Sequence, residues 1–187
     1  EINSIITREF KPERITISDF YSIGKEILSS LEKYTAIGNH AIMINDEKPG
    51  FADKFLLIER PSIEKALKEL LINAMKFSKT GTKIYFLIDY IKEGLEITIL
   101  NEPEKNEKNI VGIPIEYSTI IFEPFFRMVS NVYEKYDSID YGLGLTLVEK
   151  IIEKHGGHIT AFNVQDNTDL SRGAVTKVSF TVKIPLA

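Results

Sequence analysis

The chain has 187 residues, enough for one domain with at most a small N-terminal appendage. Hydrophobic residues at 43% and charged residues at 27% are those of a soluble globular chain, and a net charge of −4 argues against non-specific nucleic-acid binding as its main function. The absence of cysteine excludes disulfides, zinc–thiolate sites, iron–sulfur clusters and thiol nucleophiles, and no apolar run approaches the roughly 20 residues of a membrane span.

Glu1-Ile2-Asn3 opens the chain with neither a signal peptide nor an initiating Met, which reads as a fragment of a longer protein. Residues 1–17 are a mixed lead-in segment. Ser18, followed by Asp19, is placed to cap a helix over Asp19–Tyr34, whose Phe20, Ile23, Ile27, Leu28 and Leu31 recur at helical spacing. Short strands are expected at Ala41–Ile44 and Phe55–Ile58, on either side of a polar turn containing Lys48-Pro49-Gly50. Pro61 sits where a first helical turn tolerates proline, and a helix follows to Phe77. Lys79–Thr82 breaks it, and strands at Lys83–Tyr90 and Leu95–Leu100 flank a turn at Lys92–Gly94. Asn101–Asn109 is a charged loop, a short helix is expected near Tyr117–Phe122, and residues 128–141 show no period. A last helix over Leu145–His155 is stopped by Gly156-Gly157, and strands near His158–Val164 and Ala174–Ile184 close the chain. This order predicts one α+β domain, a two-layer sandwich.

Two helices carry candidate chemistry. Glu69, Asn73 and Lys76 lie three and four residues apart and form one polar stripe. At about 100° per residue, Asn73 borders the apolar arc of Ala66, Leu67, Leu70, Leu71, Ala74 and Phe77. Its amide oxygen is a hard donor suited to Mg²⁺, Glu69 can accept a proton or orient a nucleophile, and Lys76 can offset phosphate charge. Taken alone, the stripe is also what an ordinary amphipathic helix carries on its solvated edge. In Tyr141-Gly142-Leu143-Gly144-Leu145, two glycines open the last helix, whose free N–H groups can receive phosphate oxygens. A dinucleotide fingerprint would need a third glycine where Leu147 stands, so that reading fails. Ile121-Phe122-Glu123-Pro124-Phe125-Phe126-Arg127 supplies an aromatic anchor and a planar cation.

In combination these segments resemble the GHKL ATPase superfamily, and within it the sensor histidine kinases. Glu69–Ser78 resembles their asparagine box, Ile121–Arg127 their phenylalanine box, and Gly142–Val148 their second glycine box. Ile151–Ile159, with His155-Gly156-Gly157, and the closing Gly173 and Phe180–Leu186 also follow the pattern, so the resemblance covers residues 55–187 in order. It implies a Bergerat-type fold, ATP and Mg²⁺ as ligands, and transfer of the γ-phosphoryl group to a histidine. Asn73 would bind Mg²⁺, Lys76 would contact phosphate, Glu69 would help to activate the attacking group, and Arg127 would lie by the phosphates. Gly142, Gly144 and Leu145 would form the phosphate-facing helix start, with residues 128–141 as the ATP lid. Implied partners are a phosphoacceptor histidine domain on the same or a partner chain and a downstream response regulator, in a homodimeric parent. The domain would be cytoplasmic, free of nucleic-acid and membrane contacts, in a parent with room for a membrane anchor.

The first glycine box departs from the pattern. Gly112 matches its last glycine, and Asn101 stands for the aspartate that holds adenine, with Pro103 in place of the first glycine. Counting back from Gly112 without an insertion puts Lys108 at that position instead, where there is no acceptor. Asn101 can still accept from adenine N6 and donate to N1. The departure keeps a second reading open, a degenerate partner-binding module with little nucleotide turnover. His40, His155 and His158 read as surface or turn histidines, so on the kinase reading the phosphorylated histidine lies upstream of residue 1 or on a partner chain.

Overall fold

The computed structural model describes residues 9–128, 134–136 and 141–187. Strand β1 (Glu13–Thr16) leads into helix α1 (Ile17–Ser30) and a short helix α2 (Glu32–Thr35). Strands β2 (Ala41–Ile44) and β3 (Phe55–Ile58) precede helix α3 (Arg60–Phe77), then β4 (Lys83–Ile91) and β5 (Gly94–Asn101). Helix α4 (Gly144–Lys154) and strands β6 (His158–Asp166) and β7 (Val175–Ile184) follow. No described helix is long and apolar enough to cross a membrane.

A five-stranded sheet in the order β2-β4-β5-β7-β6 forms one layer. Only the β2–β4 pair is parallel, because the chain between them crosses over through α3. Period-two alternation turns Ile84, Phe86 and Ile88 of β4, Leu95, Ile97 and Ile99 of β5, and Val178, Phe180 and Val182 of β7 inward, all buried. Helices α1, α3 and α4 supply the opposite wall of the core through Phe20, Ile27, Leu67, Leu70, Leu71, Val148 and Ile151. A side chain at Gly24 of α1 would stand 3.0 Å from the Phe86 ring, so this helix lies directly on β4. The expected two-layer sandwich is the observed one.

The structure corrects several expectations at element ends. Thr16, not Ser18, caps α1: its hydroxyl accepts the Asp19 N–H at 3.0 Å and the Asp19 carboxylate accepts the Thr16 N–H at 2.9 Å. This reciprocal pair satisfies two orphan donors, and the helix therefore starts before Ser18. The expected single helix to Tyr34 is interrupted at Leu31, whose N–H tightens back onto the Leu28 carbonyl. The lead-in hides β1, which pairs antiparallel with β3 in a separate two-stranded sheet. Strands β2 and β3 thus belong to different sheets. The short helix expected near Tyr117–Phe122 is a pair of 3₁₀ turns, Ile115–Tyr117 and Ile120–Phe122.

His155 is not a surface histidine but a buried bolt that joins the end of α4 to the start of α3. Its Nδ1 lies 2.8 Å from the Ile151 carbonyl and its Nε2 accepts the Glu59 N–H at 3.1 Å, while Phe10 meets the ring edge-on. Burial lowers its pKa, because the charged ring is poorly solvated there. A histidine with a depressed folded-state pKa stabilises the fold above the unfolded value of about 6.5, and that contribution is lost as pH falls. Stability to urea should therefore decline below about pH 6.5. His155→Gln, which retains an acceptor for Glu59 but does not titrate, should remove this part of the decline. An unchanged pH profile in that variant would show that the bolt does not set it. His40 is likewise buried, with Nδ1 3.2 Å from the Thr82 carbonyl and Nε2 3.1 Å from the Met75 carbonyl, whereas His158 is exposed as expected.

Candidate functional site

Helix α3 presents Glu69, Asn73 and Lys76 along one line because they are spaced by four and three residues. The line borders a cavity of about 1080 Å³ that opens between α3, the ends of β5 and β7, and the start of α4. Glu69 and Asn73 are half-buried and Lys76 is 7% exposed. Phe77, expected in the core-facing arc, is instead 41% exposed and lines the cavity. At this last turn the chain leaves the core, and the Phe77 carbonyl accepts the Glu104 N–H at 2.8 Å.

Across the cavity, α4 begins at Gly144 with no side-chain cap, in contrast to the capped α1. Its first amide groups and the positive end of its dipole are thus available to an anion. The Glu69 carboxylate reaches this helix start, since a Cβ on Gly144 would lie 3.1 Å from Glu69 Oε2. The turn before it is fixed by backbone. Gly142 has φ +69°, and its carbonyl accepts the Phe125 N–H at 2.9 Å. Thr146 Oγ1 donates to the buried Phe122 carbonyl at 2.7 Å. These bonds seat the phenylalanine segment under the glycine turn and leave Arg127 exposed at the cavity edge.

The opposite end of the cavity is apolar. Ile113, Val178 and Phe180 line it, with the buried amide of Asn101 among them at 2% exposure. Gly112, at φ +74°, and Ile113 are held there by a side chain the sequence did not single out. Asn163 Oδ1 accepts the Ile113 N–H at 2.9 Å, and Asn163 Nδ2 donates to the Ile113 carbonyl at 3.0 Å. Any side chain on Gly112 would collide with that amide. The charged stretch before Gly112 folds into a small hairpin through the Lys105–Val111 bridge, with Asn106 Oδ1 accepting the Lys108 and Ile110 N–H groups at 2.9 Å. Lys108 is exposed on this hairpin and does not line the cavity, whereas Asn101 does.

All nine residues singled out from the sequence line this one cavity: Glu69, Asn73, Lys76, Asn101, Gly112, Arg127, Gly142, Gly144 and Leu145. Two tyrosines that sequence reading passed over join them. Tyr34 of α2 and Tyr136 stack with ring centroids 6.1 Å apart and planes at 27°, and the Tyr136 hydroxyl donates to the Met75 carbonyl at 3.4 Å. Most of the expected lid, residues 129–133 and 137–140, lies outside the described residues. Among the described residues no three His, Asp or Glu side chains cluster as a dedicated metal cage. The oxygen donors at hand, Asn73 and Glu69, suit an ion that is bound through one or two protein oxygens together with substrate phosphates.

Residues 58–187 match the profile of the histidine kinase-, DNA gyrase B- and HSP90-like ATPases. The sensor histidine kinase WalK of Bacillus subtilis is 26% identical over 130 residues, 70% of this chain and 19% of the relative. The histidine protein kinase SaeS of Staphylococcus epidermidis is 33% identical over 124 residues, 66% of this chain and 31% of the relative. The chain thus spans less than a third of the length of either relative. Among solved structures, the catalytic domain of histidine kinase ThkA superposes with a TM-score of 0.70 at 22% identity, covering 94% of this chain and 96% of that one. Full-length ShkA in complex with AMPPNP gives a TM-score of 0.70 at 16% identity, covering 96% of this chain and 32% of that one. ThkA in complex with the response regulator TrrA gives 0.63 at 20% identity, covering 93% and 41%. At these identities the likeness is one of fold.

Proposed function

Since the chain belongs to the family of histidine kinase-, DNA gyrase B- and HSP90-like ATPases, we propose that it is the ATP-binding catalytic domain of a sensor histidine kinase. It transfers the γ-phosphoryl group of ATP to a histidine outside this chain. The observation that carries the reading is the single cavity that joins an uncapped helix start at Gly144 to the Glu69–Asn73–Lys76 line at one end and to an apolar slot at the other. Such a cavity suits a ligand with an anionic tail and a flat apolar head. The likeness to the kinases WalK and SaeS agrees with the phenylalanine segment seated under the glycine turn.

The phosphates lie at the α4 N-terminus, where the backbone amides of Gly144 and Leu145 donate to their oxygens. Lys76 and Arg127 counter the remaining charge, Arg127 as a planar multidentate donor. Asn73 would hold Mg²⁺ through its amide oxygen, and the ion supplies charge neutralisation across the phosphates. Glu69 accepts the N–H of the attacking imidazole and so orients its other nitrogen. That nitrogen bonds to the γ-phosphorus as the bond to the bridging oxygen breaks and ADP departs. Both ring nitrogens of His40 and His155 lie against backbone groups, and both side chains are buried, which supports an acceptor on another domain. A response regulator receives the phosphoryl group next, and the parent protein is a homodimer with this domain in the cytoplasm.

Calorimetric titration with ATP, with and without Mg²⁺, tests the reading directly. Binding that tightens with Mg²⁺ is the expected result, and no heat of binding at millimolar ATP would overturn it.

A further inference from the structure

Asn101 ends the inward row of β5, following Leu95, Ile97 and Ile99 at every second position. A core position is an unusual place for an amide, and buried amides normally pair with protein. This one is 2% exposed, yet no described residue hydrogen-bonds to its side chain. Nor is any of its polar atoms sealed away without a partner, so the amide meets the space of the cavity that Asn101 lines. Ile113, Val178 and Phe180 line the same cavity, Val178 directly opposite Asn101 in the sheet, and such apolar side chains suit a flat ring. A ring there meets the amide with its polar edge.

The chemistry of an amide differs here from that of a carboxylate. A carboxylate offers acceptors only, whereas Asn carries an acceptor and a donor side by side, and a half-turn of the amide exchanges them. Adenine presents a donor at N6 beside an acceptor at N1. A 6-oxopurine presents the inverse, an acceptor at O6 beside a donor at N1. One orientation of the Asn101 amide complements the first edge, and the flipped orientation complements the second. With no hydrogen-bond partner among the described residues to hold it in either orientation, the flip breaks no bond that these residues make.

We infer that the base slot accepts 6-oxopurine as well as adenine nucleoside triphosphates, with Asn101 as the residue that sets this breadth. The inference rests on the nucleotide-binding reading above and names the substrate class of that site. Inosine triphosphate is the appropriate probe, because it carries the 6-oxo edge without the further amino group of guanine.

Titration of the chain with ATP and with inosine triphosphate, both in Mg²⁺, provides the test. The two dissociation constants should agree within about tenfold, the scale of one altered hydrogen bond. Asn101→Leu keeps the approximate size but removes both hydrogen-bonding atoms, and should weaken the binding of both nucleotides by about tenfold. A dissociation constant for inosine triphosphate about a hundredfold above that for ATP would overturn the inference and leave the ATP reading intact. Unchanged dissociation constants for both nucleotides in a folded Asn101→Leu chain would also overturn the role of Asn101. Should ATP itself fail to bind, the function and the base inference fall together. If the variant does not fold, the comparison on the unaltered chain decides alone.

Discussion

Asn73→Ala should remove most of the gain in ATP affinity that Mg²⁺ brings. Asn73 offers its amide oxygen to the cavity from the middle of α3, one turn from the Glu69 carboxylate at the α4 helix start. Loss of partners that merely orient metal ligands costs about 10–100-fold in metal affinity or activity, so loss of a ligand should cost at least about 100-fold in phosphotransfer by the parent protein. The fold should survive, because Asn73 is only half-buried and alanine is a better helix former. The measurement is ATP affinity across a Mg²⁺ titration, with thermal melting as the control for folding. A variant that responds to Mg²⁺ as the unaltered chain does would place the ion on other groups.

Gly142→Ala should be the most damaging single-methyl change in the site. Gly142 has φ +69°, a region that costs an L-residue energy even in open space. Here the added Cβ would also lie 2.8 Å from the Phe126 carbonyl oxygen and 2.9 Å from the Phe125 carbonyl carbon. Backbone cannot swing aside as a flexible side chain can. Strain and overpacking together should destabilise the chain by about 2–4 kcal/mol and weaken ATP binding by at least about tenfold. Gly81→Ala is the matched control: φ is +77°, but nothing lies within 4 Å of the new methyl. It should show only the conformational cost, about 1 kcal/mol, and bind ATP normally. Equal melting temperatures for the two variants would disprove the tight seating of the glycine turn on the phenylalanine segment.

Helix α3 and its polar line were legible because a helix writes its faces into the sequence every three to four residues. The same holds for β5 and β7, whose alternation is nearly unbroken. β1 was hidden because four residues with an exposed first half carry too little pattern. The separation of β2 and β3 into different sheets depends for β2 on partners 42 positions away in the chain and for β3 on the lead-in, which no local pattern encodes. In the site, motif residues were found because each sits in a short ordered run. Asn163, Tyr34 and Tyr136 were not, because each stands on a separate segment: Asn163 holds the backbone of Ile113, and the two tyrosines line the cavity. A polar residue such as Asn163 within a strand that otherwise turns Ile159 and Ala161 inward was the one available signal. The choice between Asn101 and Lys108 also required three dimensions, since only the fold puts one beside Val178 and the other out on a hairpin.

The bond from the Phe125 N–H to the Gly142 carbonyl has a meaning in polymer terms as well. It ties together the two ends of the intervening chain, so that segment is a closed ring whose ends do not depend on its length. Closure entropy rises only with the logarithm of ring size, about 0.6 kcal/mol for each doubling. Insertions between Arg127 and Tyr141 that leave Tyr136 against Tyr34 should therefore be tolerated far better than a one-residue shift at Gly142.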